Sequence, residues 1–243
     1  WFWMLGVVLL LLVQFMVKEV IGGGASVTTV VTLAFTVGIA LGSLAAAWLS
    51  GGRQVLFLTI IGGVLLSLFS LLLALKAGAT APAAQEIGWR AFLANGDLRG
   101  FAYLVSAIAF SGGLFIVPVF AAVQSWAGED RRARVIAAGN AVQAALMVLG
   151  ALGVELLQRA GFSIASLLII VSGATALATI AFLKLLPMNP WRDAAALVLR
   201  LFYRVEVRGA ENLKGNGRHR VIVANHVSFL DGALMATLTD GDP

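Results

Sequence analysis

Near the end of the chain, residues 220–236 read RVIVANHVSFLDGALMA, with His226 and Asp231 five positions apart. Imidazole is the side chain that takes a proton near neutral pH. A carboxylate on its second ring nitrogen fixes the tautomer and stabilises the imidazolium. Such a pair suits a weak oxygen nucleophile, a hydroxyl that needs a base to attack an acyl carbonyl. With a strand ending near Asn225 and a helix beginning near Ser228, the intervening turn brings Asp231 back toward His226. The same residues also fit a plainer role. Ser228-x-x-Asp231 ahead of an apolar run is a capping box, with Ser228 as N-cap and Asp231 in the first turn. The other histidine, His219, sits in the polar stretch GNGRHR and is assigned no role.

A second group of polar side chains lies inside long apolar runs: Gln14, and Asn140 with Gln143. An amide in lipid is unfavourable unless it meets a partner or a wet cavity. Asn140 and Gln143 are spaced i, i+3 and share one helix face. The runs that carry these amides are therefore expected to line a cavity. Hydrogen bonding between helices, with no solute involved, is the plainer account. Two further runs, 55–75 and 163–183, hold only hydroxyls and glycine and are expected to face lipid. Glu155, near the end of its run, is assigned no role. Ser111-Gly112-Gly113 with Pro118 suggests a bend in one span, functional or passive.

The elements that must position these groups follow from composition. The chain has 243 residues, 60% hydrophobic and 12% charged, against the roughly 25% charge of an average soluble domain. Lipid is the expected solvent. Six runs approach the roughly 20 residues that a helix needs to cross a bilayer: about 1–17, 27–49, 55–75, 100–123, 135–157 and 163–183. Backbone amides in lipid must be satisfied locally, so these runs are helices. Glycines such as Gly38, Gly42, Gly150 and Gly153 are expected to let helices approach closely.

The net charge is +5, with the basic residues in short loops and toward the C-terminal end, which favours an anionic membrane surface over nucleic acid. Arg53, then Arg131, Arg132 and Arg134, then Lys184 and Arg192 fall on one side, read as cytoplasmic. There is no cysteine, which excludes disulfides and thiolate metal sites. No metal constellation and no nucleotide-binding loop is visible. The opening WFWMLGVVLLLLVQFMV lacks both a Met and a basic lead, so a signal peptide is a poor reading and an internal piece of a longer protein is expected.

Past Pro187 the composition changes. Residues 188–204 fit a linker helix, either lying on the membrane surface or packed on the next domain. Residues 205–207 (VEV) and 221–224 (VIVA) read as short strands around a turn-like stretch. The fold class expected is thus mainly α: a polytopic membrane protein over residues 1–187, a linker over 188–204, and the start of an α/β domain over 205–243.

Six glycine-rich spans with a basic loop after every second one resemble the C-terminal half of a major facilitator superfamily transporter. Residues 42–54, GSLAAAWLSGGRQ, resemble that superfamily's signature loop through Gly42, Gly52 and Arg53. The usual acidic position falls at Ala46 or Ala47, so its carboxylate is missing. Asn225-His226-Val227-Ser228-Phe229-Leu230-Asp231 resembles the NHxxxxD motif of the glycerophospholipid acyltransferase family. The V-x-V-x-G-x-E-N-L stretch at 205–213 resembles that family's entry strand. The resemblance implies His226 as general base, Asp231 as its orienting partner and Asn225 as a supporting hydrogen-bonder.

The order of the two parts resembles a bacterial family of fusions, often carrying a further acyl-carrier-protein synthetase domain. In these fusions a lysophospholipid transporter precedes a 2-acylglycerophosphoethanolamine acyltransferase. That resemblance implies transport of lysophospholipid across the bacterial inner membrane and its reacylation on the cytoplasmic side. It implies membrane lipid and lysophospholipid as partners and an acyl thioester of coenzyme A or acyl carrier protein as donor. It implies no bound cofactor, no metal and no nucleic acid. The acyltransferase family's downstream motif, which holds the acceptor phosphate, does not occur by Pro243, so this stretch alone is expected to be inactive. Two alternatives stand beside it: a transporter of another hydrophobic solute with a non-catalytic tail, and an enzyme whose spans only anchor it.

Overall fold

The computed structural model describes residues 1–51, 55–81, 85–186, 189–203, 205, 225 and 227–238. Among these, regular structure is helical, apart from one parallel bridge between Gly23 and Ile87. Helix α1 (Phe2–Met16) widens into a π-turn over Val17–Ile21 and stops at Gly22, whose φ of 68° is readily reached only without a Cβ. Helices α2 (Ala25–Ser50), α3 (Phe57–Ala79), α4 (Trp89–Ala94), α5 (Gly96–Trp126), α6 (Arg132–Arg159) and α7 (Ile164–Leu185) follow. Helices α8 (Pro190–Phe202) and α9 (Asp231–Leu238) come last.

Six of these segments, beginning with Phe2–Ile21, are long and apolar enough to cross a membrane, and they coincide with the six runs read from the sequence. The chain is that of a multi-span membrane protein. Two boundaries differ from expectation. α3 continues to Ala79, and α4 with the first turn of α5 occupies much of the interval between the runs 55–75 and 100–123. The side-chain oxygen of Asn95 accepts from Asp97 N–H at 2.9 Å and Leu98 N–H at 3.3 Å, which starts α5 upstream of its apolar stretch. α5 thereby reaches 31 residues, about 46 Å. The expected strands at 205–207 and 221–224 fall almost entirely outside the described residues.

The chain divides into two compact units, Trp1–Leu186 and Pro187–Pro243. In the first, α5 packs against α2 and α3, α3 also against α7, and α1 against α6 and α7. Glycine sets the closest approaches. A Cβ on Gly38 or Gly42 of α2 would run into the carbonyl oxygens of Ser106 and Phe110 on α5. A Cβ on Gly113 of α5 would lie 2.5 Å from Ser43 N of α2, and one on Gly62 of α3 2.5 Å from Phe115 N of α5. Backbones this close gain dispersion along the whole crossing. Gly150 of α6 fits against Met4 and Val8 of α1, whereas Gly153 faces open space and brings no helix closer, contrary to the reading from sequence.

Hydroxyl groups supply the remaining links. Ser67 and Ser172 each donate to the other's backbone carbonyl, at 2.9 and 2.8 Å, and join α3 to α7. Thr59 Oγ1 of α3 donates to Phe115 O of α5 at 3.1 Å, one turn before Pro118. α5 stays helical through Pro118, whose ring removes the amide that would bond Leu114 O. α3 was expected to face lipid. Instead one face is enclosed by α5 and α7, and only its outer face (Val64, Leu68, Leu71, Leu72, Leu75) is exposed and wholly apolar. Within the second unit Asn189 caps α8, its side-chain oxygen accepting from Arg192 N–H at 3.2 Å, and α8 packs against α9.

Gly42→Ala is expected to destabilise the six-helix unit by about 1–3 kcal/mol through overpacking. Gly153→Ala has room for its methyl and is expected to be neutral or to gain up to about 1 kcal/mol in helix propensity. Thermal unfolding of the two variants in detergent checks the contrast: the midpoint falls only for the first.

Candidate functional site

The motif turn is built by its own side chains. Asn225 is exposed, and His226 lies outside the described residues. The chain bends at 228–230 and enters α9 at Asp231. Asp231 Oδ2 accepts hydrogen bonds from Val227 N–H at 2.6 Å and Ser228 N–H at 2.7 Å. Ser228 Oγ accepts from Leu230 N–H at 3.2 Å, and Asp231 N–H donates to Ser228 O at 3.0 Å. The Asp231 arm of the capping box that the Ser-x-x-Asp spacing allows is made, while the Ser228 hydroxyl takes the Leu230 amide instead of that of Asp231, and the carboxylate lies favourably at the positive end of the helix dipole.

The carboxylate does one thing that the spacing alone did not reveal. Besides the N-cap amide of Ser228 it holds that of Val227, the residue directly after the motif histidine. A single oxygen thus bridges two consecutive amides and closes the turn over residues 227–231. Val227 and Phe229 project outward and are exposed.

The expected transport residues lie on the outer surface of the first unit. Gln14 on α1 and Asn140 on α6 are exposed, and Gln143 is half-buried. Among the described residues none of these three amides makes a side-chain hydrogen bond. α6 is the most exterior of the six, with Val154 its one buried residue among those described. Glu155 pairs with Arg159 at 2.8 Å on its exposed surface.

Gln14 also lines a cleft of about 620 Å³ together with Lys18, Thr28, Gln85 and Glu86, around the Gly22–Gly24 corner. The main chain there is tied across: Ile87 N–H donates to Gly22 O at 2.8 Å and Gly24 N–H to Ile87 O at 3.2 Å. Glu86 Oε1 lies where a Cβ on Gly24 would stand, at the N-terminus of α2. Thr28, Thr29, Thr32 and Thr36 continue a polar stripe along α2. Thr29 and Thr36 donate to carbonyls one turn back, at 2.9 and 3.0 Å, so this stripe is tolerated by lipid and water alike. Sequence reading missed Lys18 and Glu86 as members of this cleft. Lys18 stands at i+4 from Gln14 and could have been found by helical spacing, while Glu86 arrives from 68 residues away by sequence number through the Gly23–Ile87 bridge.

Of the signature-loop residues, Gly42 sits inside α2, buried against Phe110, and not in a loop, because α2 continues to Ser50. Gly52 and Arg53 lie outside the described residues. Comparison with protein-family models, with curated proteins and with solved structures found no match.

The chain's lack of cysteine makes single substitutions clean probes. In sealed vesicles a water-soluble maleimide is expected to modify Asn140→Cys roughly tenfold or more faster than Leu177→Cys on the apolar face of α7, because thiolate forms only in contact with water. Equal, slow labelling of both would put Asn140 in lipid.

Proposed function

We propose that this chain belongs to a bacterial inner-membrane protein that moves lysophospholipid to the cytoplasmic face and reacylates it there. The observation that carries the reading is the stretch Asn225–Asp231, in which the carboxylate of Asp231 folds back onto the amides that follow His226. A polar residue pattern of this kind at a helix start, joined in one chain to six membrane helices, suits chemistry on a substrate that never leaves the bilayer.

In the proposed reaction His226 removes the proton from the free glycerol hydroxyl as its oxygen attacks the thioester carbonyl of the acyl donor. The tetrahedral intermediate collapses with loss of the thiolate, which takes the proton back from the imidazolium. An ester bond forms, a thioester bond breaks, and no oxidant or metal enters. Coenzyme A and acyl carrier protein both supply such a thioester. On the transport side, Gln14 and Asn140 are among the polar groups that the first unit offers outward, and Gln143 is half-buried. An amide turned away from its own bundle is economical when it meets a wet cavity or a second set of helices. The basic turn at Arg131, Arg132 and Arg134 marks the cytoplasmic side in this reading.

The test is conversion of lysophosphatidylethanolamine to diacyl lipid by membranes containing the full-length parent, beside uptake of labelled lysolipid into vesicles. His226→Ala is expected to lower acylation by about 10²–10⁴-fold, the usual worth of a general base, and to leave uptake intact. Acylation unchanged in the variant removes the proposed base. Absence of uptake in both proteins favours a membrane part that only anchors the enzyme.

A further inference from the structure

We infer that the cleft around the Gly22–Gly24 corner receives the zwitterionic headgroup of a phosphoethanolamine lipid, with Lys18 for its phosphate and Glu86 for its ammonium. The inference rests on the reading of the six-helix unit as a lysophospholipid carrier and goes beyond it by giving that cargo an entry site.

The cleft measures about 620 Å³, a size typical of small-molecule sites, and Gln14, Lys18, Thr28, Gln85 and Glu86 line it. Its two charges come from separate segments: Lys18 from the π-turn after α1, Glu86 from the stretch before α4. Among the described residues neither side chain makes an ion pair or a hydrogen bond, with the other or with a third group. A simple anion would satisfy Lys18 and be repelled by Glu86, and a simple cation the reverse. A ligand carrying both signs answers both. The amides of Gln14 and Gln85 add donors for phosphate oxygens and acceptors for an ammonium.

The frame beneath these side chains is fixed by main chain. Ile87 N–H donates to Gly22 O at 2.8 Å and Gly24 N–H to Ile87 O at 3.2 Å, so the two charged segments are joined directly. Glu86 Oε1 occupies the space that a Cβ on Gly24 would take, which seats the carboxylate against the start of α2. The helix dipole favours an anion there.

A path for an acyl chain leads away from the cleft. Thr28 lines both the cleft and the groove that continues past Thr32, Leu33 and Thr36 on α2. Leu33, Val37 and Leu41, each four residues from the next, form an exposed apolar row that begins in this groove. A lipid, unlike a free phosphoethanolamine, uses cleft and row together. Position also fits. The 31 residues of α5 separate Glu86 from the basic turn at Arg131, so the cleft opens at the end of the unit opposite the proposed cytoplasmic side. Lysolipid bound for the inner face would start there.

The experiment is concentration-dependent uptake of labelled lysophosphatidylethanolamine into vesicles containing the full-length parent. Lysophosphatidylglycerol, which has the phosphate and no ammonium, serves as second substrate or inhibitor. Glu86→Gln is expected to raise KM for the first lipid about tenfold, the worth of one charge-assisted hydrogen bond, and to leave the second within about twofold. Lys18→Gln is expected to weaken both lipids about tenfold, and Lys18→Arg to restore them. Gly24→Ala, whose methyl would displace the Glu86 carboxylate while keeping both charges, is expected to act in the direction of Glu86→Gln. Glycerophosphoethanolamine, the headgroup without a chain, is expected to compete at least about 10²-fold more weakly than the lipid, since it buries no methylenes; equal competition overturns the assignment to a lipid. An unchanged lysophosphatidylethanolamine KM in either Glu86→Gln or Lys18→Gln overturns the inference, and so does a Glu86→Gln loss equally large for both lipids. Wild type that takes up neither lipid overturns the transport reading and this inference with it, an outcome distinct from uptake that the charge variants leave unchanged.

Discussion

The contact of α5 with α2 and α3, main chain against main chain, is the constraint around which the six-helix unit is arranged. In water the burial of Leu and Val would drive such a bundle together. In lipid those side chains exchange one apolar surrounding for another, and association rests on close dispersion and on a few hydrogen bonds. Gly38, Gly42, Gly62 and Gly113 bring the backbones into that range. A methyl at any of them would separate two helices and weaken the dispersion along the whole crossing, so four small residues fix the positions of many large ones.

A few inward-facing hydroxyls add hydrogen bonds to these backbone contacts. The Ser67–Ser172 exchange and the Thr59–Phe115 bond cross between helices, each satisfying a donor that lipid could not. Ser70 Oγ is enclosed without a partner among the described residues, a reminder that this economy is not perfect. The amides behave in the opposite way, with Gln14 and Asn140 turned out of the bundle and Gln143 half-covered. The difference follows from group size. A hydroxyl can satisfy itself on its own helix, and an amide, with two donors and an acceptor, cannot.

The spans were legible because length and apolarity suffice to define a helix in lipid, and the six runs match the six segments closely. Helix ends were less so. α5 begins at Gly96 because of Asn95 capping, a local bond that hydropathy does not register. Glycine could be located but not interpreted: Gly42 and Gly153 look alike in sequence, and only the neighbour across the crossing distinguishes a contact from an open surface. Gly42 likewise reads as the start of a loop, yet it lies in a helix interior. At the motif, the capping-box spacing was visible. The grip of Asp231 on Val227 was not, since it depends on how sharply residues 228–230 bend. The cleft at Gln14 escaped for a different reason. Glu86 is brought to it by the Gly23–Ile87 bridge, a pairing that no periodicity announces.

The length of α5 carries a last consequence. At about 46 Å it exceeds the roughly 30 Å of hydrocarbon that a bilayer offers, so it must lean or protrude. α6, 28 residues or about 42 Å, follows after a short turn and shares the mismatch. Where the two helices meet, Arg131 in the joining turn and Arg132 and Arg134 in the first turn of α6 stand exposed. Arg132 Nε donates to Gln124 O at 3.0 Å, so the start of α6 is fastened to the last turns of α5. Two helices longer than the oil is thick are thus clasped at one end, and a lean of either must be shared by the other.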